Sequence, residues 1–247
     1  MNPLQAKGSI VANHELCNNI WMMKISNRKI AAGVQPGQFV HLAVPGFQLR
    51  RPFTIADANS RSLSVVYKVA GRGTAAMTAL KTSMEIDVLG PLGRGFEPPS
   101  PTSALLVGGG MGVAALVLLA RRLERCTLVT AAATAEQLWA DCLDLPPTVE
   151  LVVATDDGSS GFAGTAVDVA REYVKADTWV AACGPSGMLR GMQQLLQQHN
   201  IPGQFALEER MACGLGACMG CVCQRRDGSQ ALVCSDGPVF DAREVEL

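Results

Sequence analysis

Residues 10–93 alternate short apolar runs with turn residues. Apolar and polar positions that alternate with a period of two are typical of β-strands, and Pro-Gly pairs at 36–37 and 45–46 separate the runs. The pattern predicts a small antiparallel barrel with strands at 38–44, 51–56, 63–70 and 84–89. One helix is predicted within it, over 74–81, with Thr74 as its N-cap.

The pattern changes after a stretch with three prolines, residues 97–101. Strands now alternate with longer amphipathic helices, which favours an open parallel sheet with crossover helices. Strands are predicted at 104–107, 127–130, 150–155 and 178–183, and helices at 113–123, 165–174 and 186–198. The prolines indicate a stiff linker, and no periodicity persists after residue 208. We therefore predict three units: 1–98, 99–207 and 208–247.

Composition narrows the class of protein. A chain of 247 residues with 48% hydrophobic and 17% charged residues is globular and long enough for two cores. Lys and Arg number 21 against 22 Asp and Glu, so no basic excess attracts nucleic acid or an anionic membrane. The apolar stretch 103–120 contains a glycine cluster, which indicates strand, turn and helix rather than a membrane span. Residues 1–16 have no secretory pattern, and the crowding of cysteines near the C-terminus suits a reducing cytoplasm.

Four cysteines carry the most specific pattern in the sequence. Cys213, Cys218 and Cys221 are followed by Cys234, which is the ligand spacing of plant-type [2Fe–2S] sites. Interspersed glycines suit a loop that directs backbone N–H groups at sulfur. A four-thiolate zinc site is the alternative, although such sites usually contain two C-x2-C pairs and only one is present here. Cys223 is predicted to be a buried, inert thiol.

Two glycine-rich turns suggest a dinucleotide site. The first has Gly108, Gly109, Gly110 and Gly112 between a predicted strand and helix, and the second is Cys183-Gly184-Pro185. Such turns bring backbone N–H groups and a helix N-terminus to a pyrophosphate at the carboxyl edge of a parallel sheet. Tight turns without a ligand are the alternative. Residues 130–134 contain no Lys or Arg for a 2′-phosphate, which favours NAD over NADP.

The order of motifs along the chain resembles a known superfamily. Arg51-Pro52-Phe53-Thr54 is followed by Val66-Tyr67-Lys68, then Gly73-Thr74, the glycine loop and Cys-Gly-Pro. This order resembles the ferredoxin–NADP reductase superfamily. With the runs 208–221 and 234–240 included, the whole chain resembles the family of electron-transfer subunits of type B dihydroorotate dehydrogenase.

The resemblance implies a set of cofactors and partners. It implies that FAD is lined by Arg51, near the pyrophosphate, and Thr54, near the isoalloxazine. The rest of the implied FAD site is Pro52, Phe53, Val66, Tyr67, Lys68, Gly73 and Thr74. It implies that the four cysteines hold the [2Fe–2S] cluster, and that electrons pass from the FMN of a dihydroorotate dehydrogenase catalytic subunit through cluster and FAD to NAD. Two copies of each subunit would form a heterotetramer.

Departures and alternatives accompany this resemblance. Thr54 replaces the commoner Ser, Phe53 replaces an aliphatic residue, and Ala114-Ala115 stand where proline is frequent. One alternative is a related FAD/[2Fe–2S] subunit of an NADPH–ferredoxin or sulfide oxidoreductase, and another is a zinc-stapled nucleotide-binding module. No catalytic acid–base pair is evident. His14, His41 and His199 are predicted to be surface or hydrogen-bonded residues.

Overall fold

The computed structural model describes residues 3–99 and 103–247. Six antiparallel strands form a closed barrel in the first part of the chain. They are β1 (Leu4–Cys17), β2 (Ile20–Ser26), β3 (Phe39–Ala43), β4 (Arg51–Ala58), β5 (Ser62–Lys68) and β6 (Glu85–Leu92). Around the barrel their order is β1-β2-β5-β4-β3-β6. The predicted barrel is confirmed.

Strand alternation separates the barrel core from its outer face. On β3, Val40 and Leu42 enter a core with Ile55 and Val65 of the neighbouring strands. The prediction did not define β1, since this strand changes register twice against β2, and each change interrupts the two-residue period of its side chains.

Two short helices accompany the barrel: α1 (Arg28–Ala31) and α2 (Arg72–Thr78). The predicted N-cap of α2 is wrong, because the helix is capped at Gly71 and Thr74 lies in its first turn. The Thr74 hydroxyl instead reaches back and accepts the backbone N–H groups of Ala70 and Gly71 at 3.0 and 3.2 Å. Thr74 therefore satisfies N–H groups in the turn before the helix.

A seven-stranded sheet forms the second layer. Its strands are β7 (Ser103–Gly109), β8 (Cys126–Ala132), β9 (Val149–Thr155), β10 (Phe162–Ala163), β11 (Thr178–Cys183), β12 (Gly203–Ala206) and, from the C-terminal segment, β15 (Val239–Asp241). The order is β10-β9-β8-β7-β11-β12-β15. All pairs are parallel except β12 with β15. This confirms the predicted parallel sheet.

Three longer helices pack on this sheet: α3 (Ala114–Arg122), α4 (Ala166–Tyr173) and α5 (Ser186–His199). In α3, residues 114–120 are all buried, which explains the apolar stretch in the sequence. A 3-10 turn, Gly110–Val113, joins β7 to α3. Within the described ranges, none of the helices combines the length and apolarity that crossing a membrane requires.

The C-terminal segment contains a hairpin, β13 (Val222–Gln224) and β14 (Gln230–Leu232), before β15. Because β15 extends the parallel sheet, this segment is hydrogen-bonded to the unit before it. In the predicted linker, Ser100 and Pro101 lie outside the described residues. The three predicted domain ranges stay a prediction.

Candidate functional site

The first candidate site is a cavity of about 310 Å³ between the barrel and the rest of the chain. Six of the residues predicted around FAD line it together: Pro52, Phe53, Thr54, Val66, Tyr67 and Lys68. They come from the adjacent strands β4 and β5. The Arg-Pro-Phe-Thr motif on β4 and the Val-Tyr-Lys motif on β5 therefore lie side by side. The other walls are Phe39, Met111, Ala114, Leu207, Glu208, Glu209, Met211 and Pro238.

Tyr67 anchors the floor of this cavity. Its hydroxyl donates to Asn13 Oδ1 at 2.9 Å, and Asn13 in turn donates to the carbonyls of Met77 and Leu80 at the end of α2. Burial raises the pKa of Tyr67 to about 12, so the phenol stays protonated at neutral pH. The Tyr67 ring also lies 5.8 Å from that of Phe53. Its hydroxyl is therefore committed to the protein rather than to a ligand.

Arg51, Gly73 and Thr74 lie beside the cavity at the start of α2. A Cβ on Gly73 would come within 2.9 Å of Arg51 Nε, so glycine lets the guanidinium lie against the helix start. Arg51 also stacks over Phe47, with 5.2 Å between Cζ and the ring centroid. A cation next to the first-turn N–H groups of a helix is an arrangement suited to phosphate.

A second cavity, of about 490 Å³, lies at the carboxyl edge of the parallel sheet. Of the predicted dinucleotide residues, Gly109, Gly110 and Pro185 line it directly. Its remaining lining residues are Ala131, Ala132, Ala133, Gln137, Asp156, Thr165, Ala166, Val167, Gly187 and Met188. Asp156 carries the only charge among these described lining residues.

The other glycines of the two turns allow the turns to pack against each other. Gly108 pairs with Cys183 across β7 and β11. A Cβ on Gly112 would overlap the carbonyl of Cys183, and one on Gly184 would come within 3.0 Å of the Gly109 nitrogen. Cys183 is fully buried, which raises the pKa of its thiol well above the ordinary value. The close packing of the two turns at this edge of the sheet therefore depends on residues outside the cavity lining: Gly108, Gly112, Cys183 and Gly184.

The third site is the cysteine loop, which we define as residues 213–221 together with Cys234. The hairpin β13–β14 brings Cys234 next to Cys221, because Val233 N–H donates to the Cys221 carbonyl at 2.9 Å. The Cys234 N–H then points at Cys221 Sγ, 3.4 Å away. This explains how the fourth cysteine, distant in sequence, reaches the end of the 213–221 segment.

Backbone N–H groups in this loop point at sulfur. Leu215 N lies 3.4 Å from Cys213 Sγ, and Gly216 N lies 3.2 Å from Cys234 Sγ. Gly214 and Gly216 adopt φ values of +72° and +78°, which glycine adopts without strain. The pKa of Cys213 is lowered to about 6, mainly by the hydrogen bond from the Leu215 N–H. The pKa of Cys234 is raised to about 12, mainly by burial.

The four thiols are free and close enough to affect one another. Cys218 contributes to the lowered pKa of Cys213, and Cys221 and Cys213 contribute to the raised pKa of Cys234. Across residues 3–99 and 103–247, no three His, Cys, Asp or Glu side chains gather as a ready-made site for one ion. A binuclear cluster needs two thiolate ligands for each of its two irons. Backbone N–H groups commonly donate hydrogen bonds to the sulfurs of such a cluster.

The remaining cysteine and histidine predictions have mixed outcomes. Cys223 faces Ala231 in the hairpin and is half-buried, and burial raises the pKa of its thiol. His14 and His199 are exposed, as predicted. The prediction for His41 is wrong: its side chain is fully buried, and neither ring nitrogen has a hydrogen-bond partner among the described residues.

Sequence reasoning missed the cavity walls that come from distant segments. Leu207, Glu208, Glu209 and Met211 belong to the crossing from the sheet to the cysteine loop. Met111 and Ala114 belong to the glycine loop and α3. The signal for these walls in the sequence is the run beginning at residue 208, which carries the family resemblance.

Comparisons with known proteins relate the chain to one family. Residues 208–246 match the family model described as the iron–sulfur cluster binding domain of dihydroorotate dehydrogenase B. The electron transfer subunit of dihydroorotate dehydrogenase B (NAD(+)) from Bacillus velezensis is 38% identical over 253 residues, covering 97% of this chain and 98% of that protein. The subunit of the same name from Caldanaerobacter subterraneus subsp. tengcongensis is 36% identical, covering 91% and 98%.

Solved structures support the architecture. An NADH-dependent reduced ferredoxin-NADP oxidoreductase aligns with a TM-score of 0.83 at 27% identity, covering 98% of this chain and 90% of that one. A ferredoxin NADP+ reductase from Neisseria gonorrhoeae with bound FAD and NADP has a TM-score of 0.62 at 16% identity, covering 79% and 91%, and so shows the fold alone. On this sequence identity and coverage, the chain belongs to the family of dihydroorotate dehydrogenase B (NAD(+)) electron transfer subunits.

Proposed function

We propose that the three sites described above form one electron path between a dihydroorotate-oxidising partner and NAD. The chain is an NAD-linked electron-transfer subunit with FAD and iron–sulfur cofactors. When bound, FAD exchanges hydride with NAD and single electrons with the cluster. The observation that carries the proposal is the composition of the first cavity: its walls include barrel strands, the glycine loop and Met211, two residues before Cys213.

The FAD residues proposed are those of the predicted motif. The backbone of Thr54 pairs with Phe39 of β3, but its hydroxyl has no hydrogen-bond partner among the described residues and would be available to a flavin ring in the cavity. Phe53, Val66 and Pro52 supply apolar walls. Arg51 and the first turn of α2 would bind the pyrophosphate, with Gly73 giving room for the guanidinium and Thr74 fixing the turn.

The nicotinamide dinucleotide is assigned to the second cavity. Gly109, Gly110 and Pro185 would lie against it, and Gly108, Gly112, Cys183 and Gly184 hold the two turns in contact. The adenosine end would face Ala131–Ala133 and Asp156, where a carboxylate repels a 2′-phosphate. This charge supports a preference for NAD over NADP.

The metal ligands proposed are Cys213, Cys218, Cys221 and Cys234. Their sequence spacing and the three N–H···S contacts support a [2Fe–2S] cluster. Purified protein should contain about one FAD and two irons per chain and have a brown-yellow visible spectrum. A protein that binds zinc and no iron under reconstitution would overturn the assignment.

The partner proposed is an FMN-containing dihydroorotate dehydrogenase catalytic subunit, with two copies of each chain in a cytoplasmic heterotetramer. The relatives' name, electron transfer subunit, supports a catalytic partner. Co-expression of the two chains, followed by mass measurement of the purified complex, tests the stoichiometry. A chain that forms no complex with a dihydroorotate-oxidising flavoprotein would contradict the proposal.

A further inference from the structure

His41 lies between the first cavity and the cysteine loop. Phe39 and His41 are two residues apart on β3 and therefore share its outer face. Phe39 lines the first cavity, and the centroids of the Phe39 and His41 rings are 5.7 Å apart. On its other side His41 packs against Gly214, the residue after Cys213. His41 thus lies between Phe39, a wall residue of the first cavity, and Gly214 of the cysteine loop.

The imidazole faces the cysteine loop with its polar edge. A Cβ on Gly214 would come within 2.9 Å of His41 Cε1 and Nε2, and 3.1 Å of Nδ1. Cε1 therefore faces the cysteine loop, and the two ring nitrogens lie on either side of it. Gly214 is thus required twice, for its φ of +72° and for the space that the ring occupies.

The buried ring has polar atoms that need partners. His41 is 0% exposed, and neither Nδ1 nor Nε2 is hydrogen-bonded within the described residues. Burial, and then the charge of Arg50, lowers the pKa of His41 to about 4. A neutral imidazole carries one N–H donor and one acceptor nitrogen. Leaving both unpaired in a buried site is costly.

We propose that His41 is a positioning residue of the iron–sulfur site, whose N–H donates to a sulfur of the cluster or of its thiolates. The inference rests on the proposed function, since it requires a cluster in the cysteine loop. A hydrogen bond to sulfur stabilises the added electron and raises the reduction potential. The ring also fixes Gly214 relative to Phe39, and so fixes the loop relative to the flavin cavity.

Two variants of the full chain, purified with its partner and cofactors, test this role. His41→Leu removes the donor at similar volume, and His41→Gln keeps an N–H group at similar reach. The cluster midpoint potential is measured by redox titration followed by electron paramagnetic resonance. We expect His41→Leu to lower the potential, change the spectrum and slow reduction of the cluster by NADH. His41→Gln should stay close to the wild type.

Iron content, FAD content and the thermal midpoint are measured on the same samples. His199→Leu is the matched control, because that histidine is exposed at the end of α5. Its potential and spectrum should equal those of the wild type. If His41→Leu loses iron and His41→Gln retains it, the N–H role is supported.

Three results would overturn the inference. Unchanged potential and spectrum in iron-replete His41→Leu would show that no bond to sulfur exists. Equal shifts in His41→Leu and His41→Gln, or equal loss of iron, would show that ring shape rather than the donor matters. Failure of the proposed function looks different, since wild-type protein would then bind no iron at all.

Discussion

The first cavity and the cysteine loop are built in different ways. The cavity has walls on paired strands, where the register of β4 and β5 places the side chains before any cofactor arrives. Residues 213–221 contain no helix or strand, and their described order rests on a hairpin and a few N–H···S contacts. A site on regular elements is preorganised, whereas a loop of this kind gains much of its order from ligation.

The largest effect is expected when the cysteine loop loses one of its four proposed cluster ligands. Cys218→Ser should abolish electron transfer from dihydroorotate to NAD in the complex, while FAD binding and NADH oxidation by an artificial two-electron acceptor persist. The reason is that the first two cavities do not include Cys218. Steady-state assays with each acceptor measure this.

Cys142→Ser is the matched control for that variant, because Cys142 is an exposed thiol outside the cysteine loop. It should behave as the wild type in both assays. Normal transfer in Cys218→Ser would remove the loop from the electron path, and loss of FAD in that variant would contradict the independence of the two sites.

A smaller effect is expected from a glycine behind the second cavity. Gly112→Ala would drive a Cβ into the carbonyl of Cys183, so the two turns must separate. We expect a loss of about 1–3 kcal/mol in the free energy of unfolding, measured by denaturant titration. Gly187→Ala, whose Cβ meets nothing closer than 3.9 Å, lies in α5 and should stabilise the chain by up to about 1 kcal/mol, because alanine favours a helix more than glycine does. Equal effects would show that the edge is not tightly packed.

The preference of the second cavity for NADH over NADPH provides a test with a smaller expected effect. Among the described residues that line the second cavity, Asp156 alone is charged, and Asp156→Arg replaces it with a cation. The ratio of kcat/KM for NADPH to that for NADH should rise about tenfold, equivalent to ~1.4 kcal/mol. Asp157→Arg, at the next position but outside the lining, should leave the ratio near the wild-type value. Equal increases of this ratio in both variants would indicate a general effect of added positive charge rather than a contact in the cavity.

The smallest effect concerns alkaline pH. Burial raises the pKa of Tyr67 to about 12 from an ordinary value of 10.0. The unfolded chain therefore releases this proton first, and the stability due to Tyr67 is fully present below pH ~10 and declines between ~10 and ~12. Tyr67→Phe should show less of this decline in denaturant midpoints at pH 9 and 11. An identical decline in both proteins would assign it to other groups.

The strand pattern and the cysteine spacing could be interpreted from the sequence because both are local. Thr54 and Val66 each lie in a regular run, and the four cysteines carry their own spacing. The buried state of His41 could not be predicted, since it depends on Gly214, which is distant in the chain. Met211 and Pro238 reach the first cavity only through tertiary packing. The cap of α2 was misplaced because a threonine favours the N-cap position and also serves in the first turn.

Strand β15 limits how freely this protein's parts can be exchanged. Its three residues cover the edge of β12, and removing them would expose unpaired N–H and C=O groups of the kind that recruit other chains into a sheet. A truncated version without the cysteine segment would therefore tend to self-associate. Anyone grafting a different redox module onto this reductase core would have to supply a replacement edge strand along with the new cofactor.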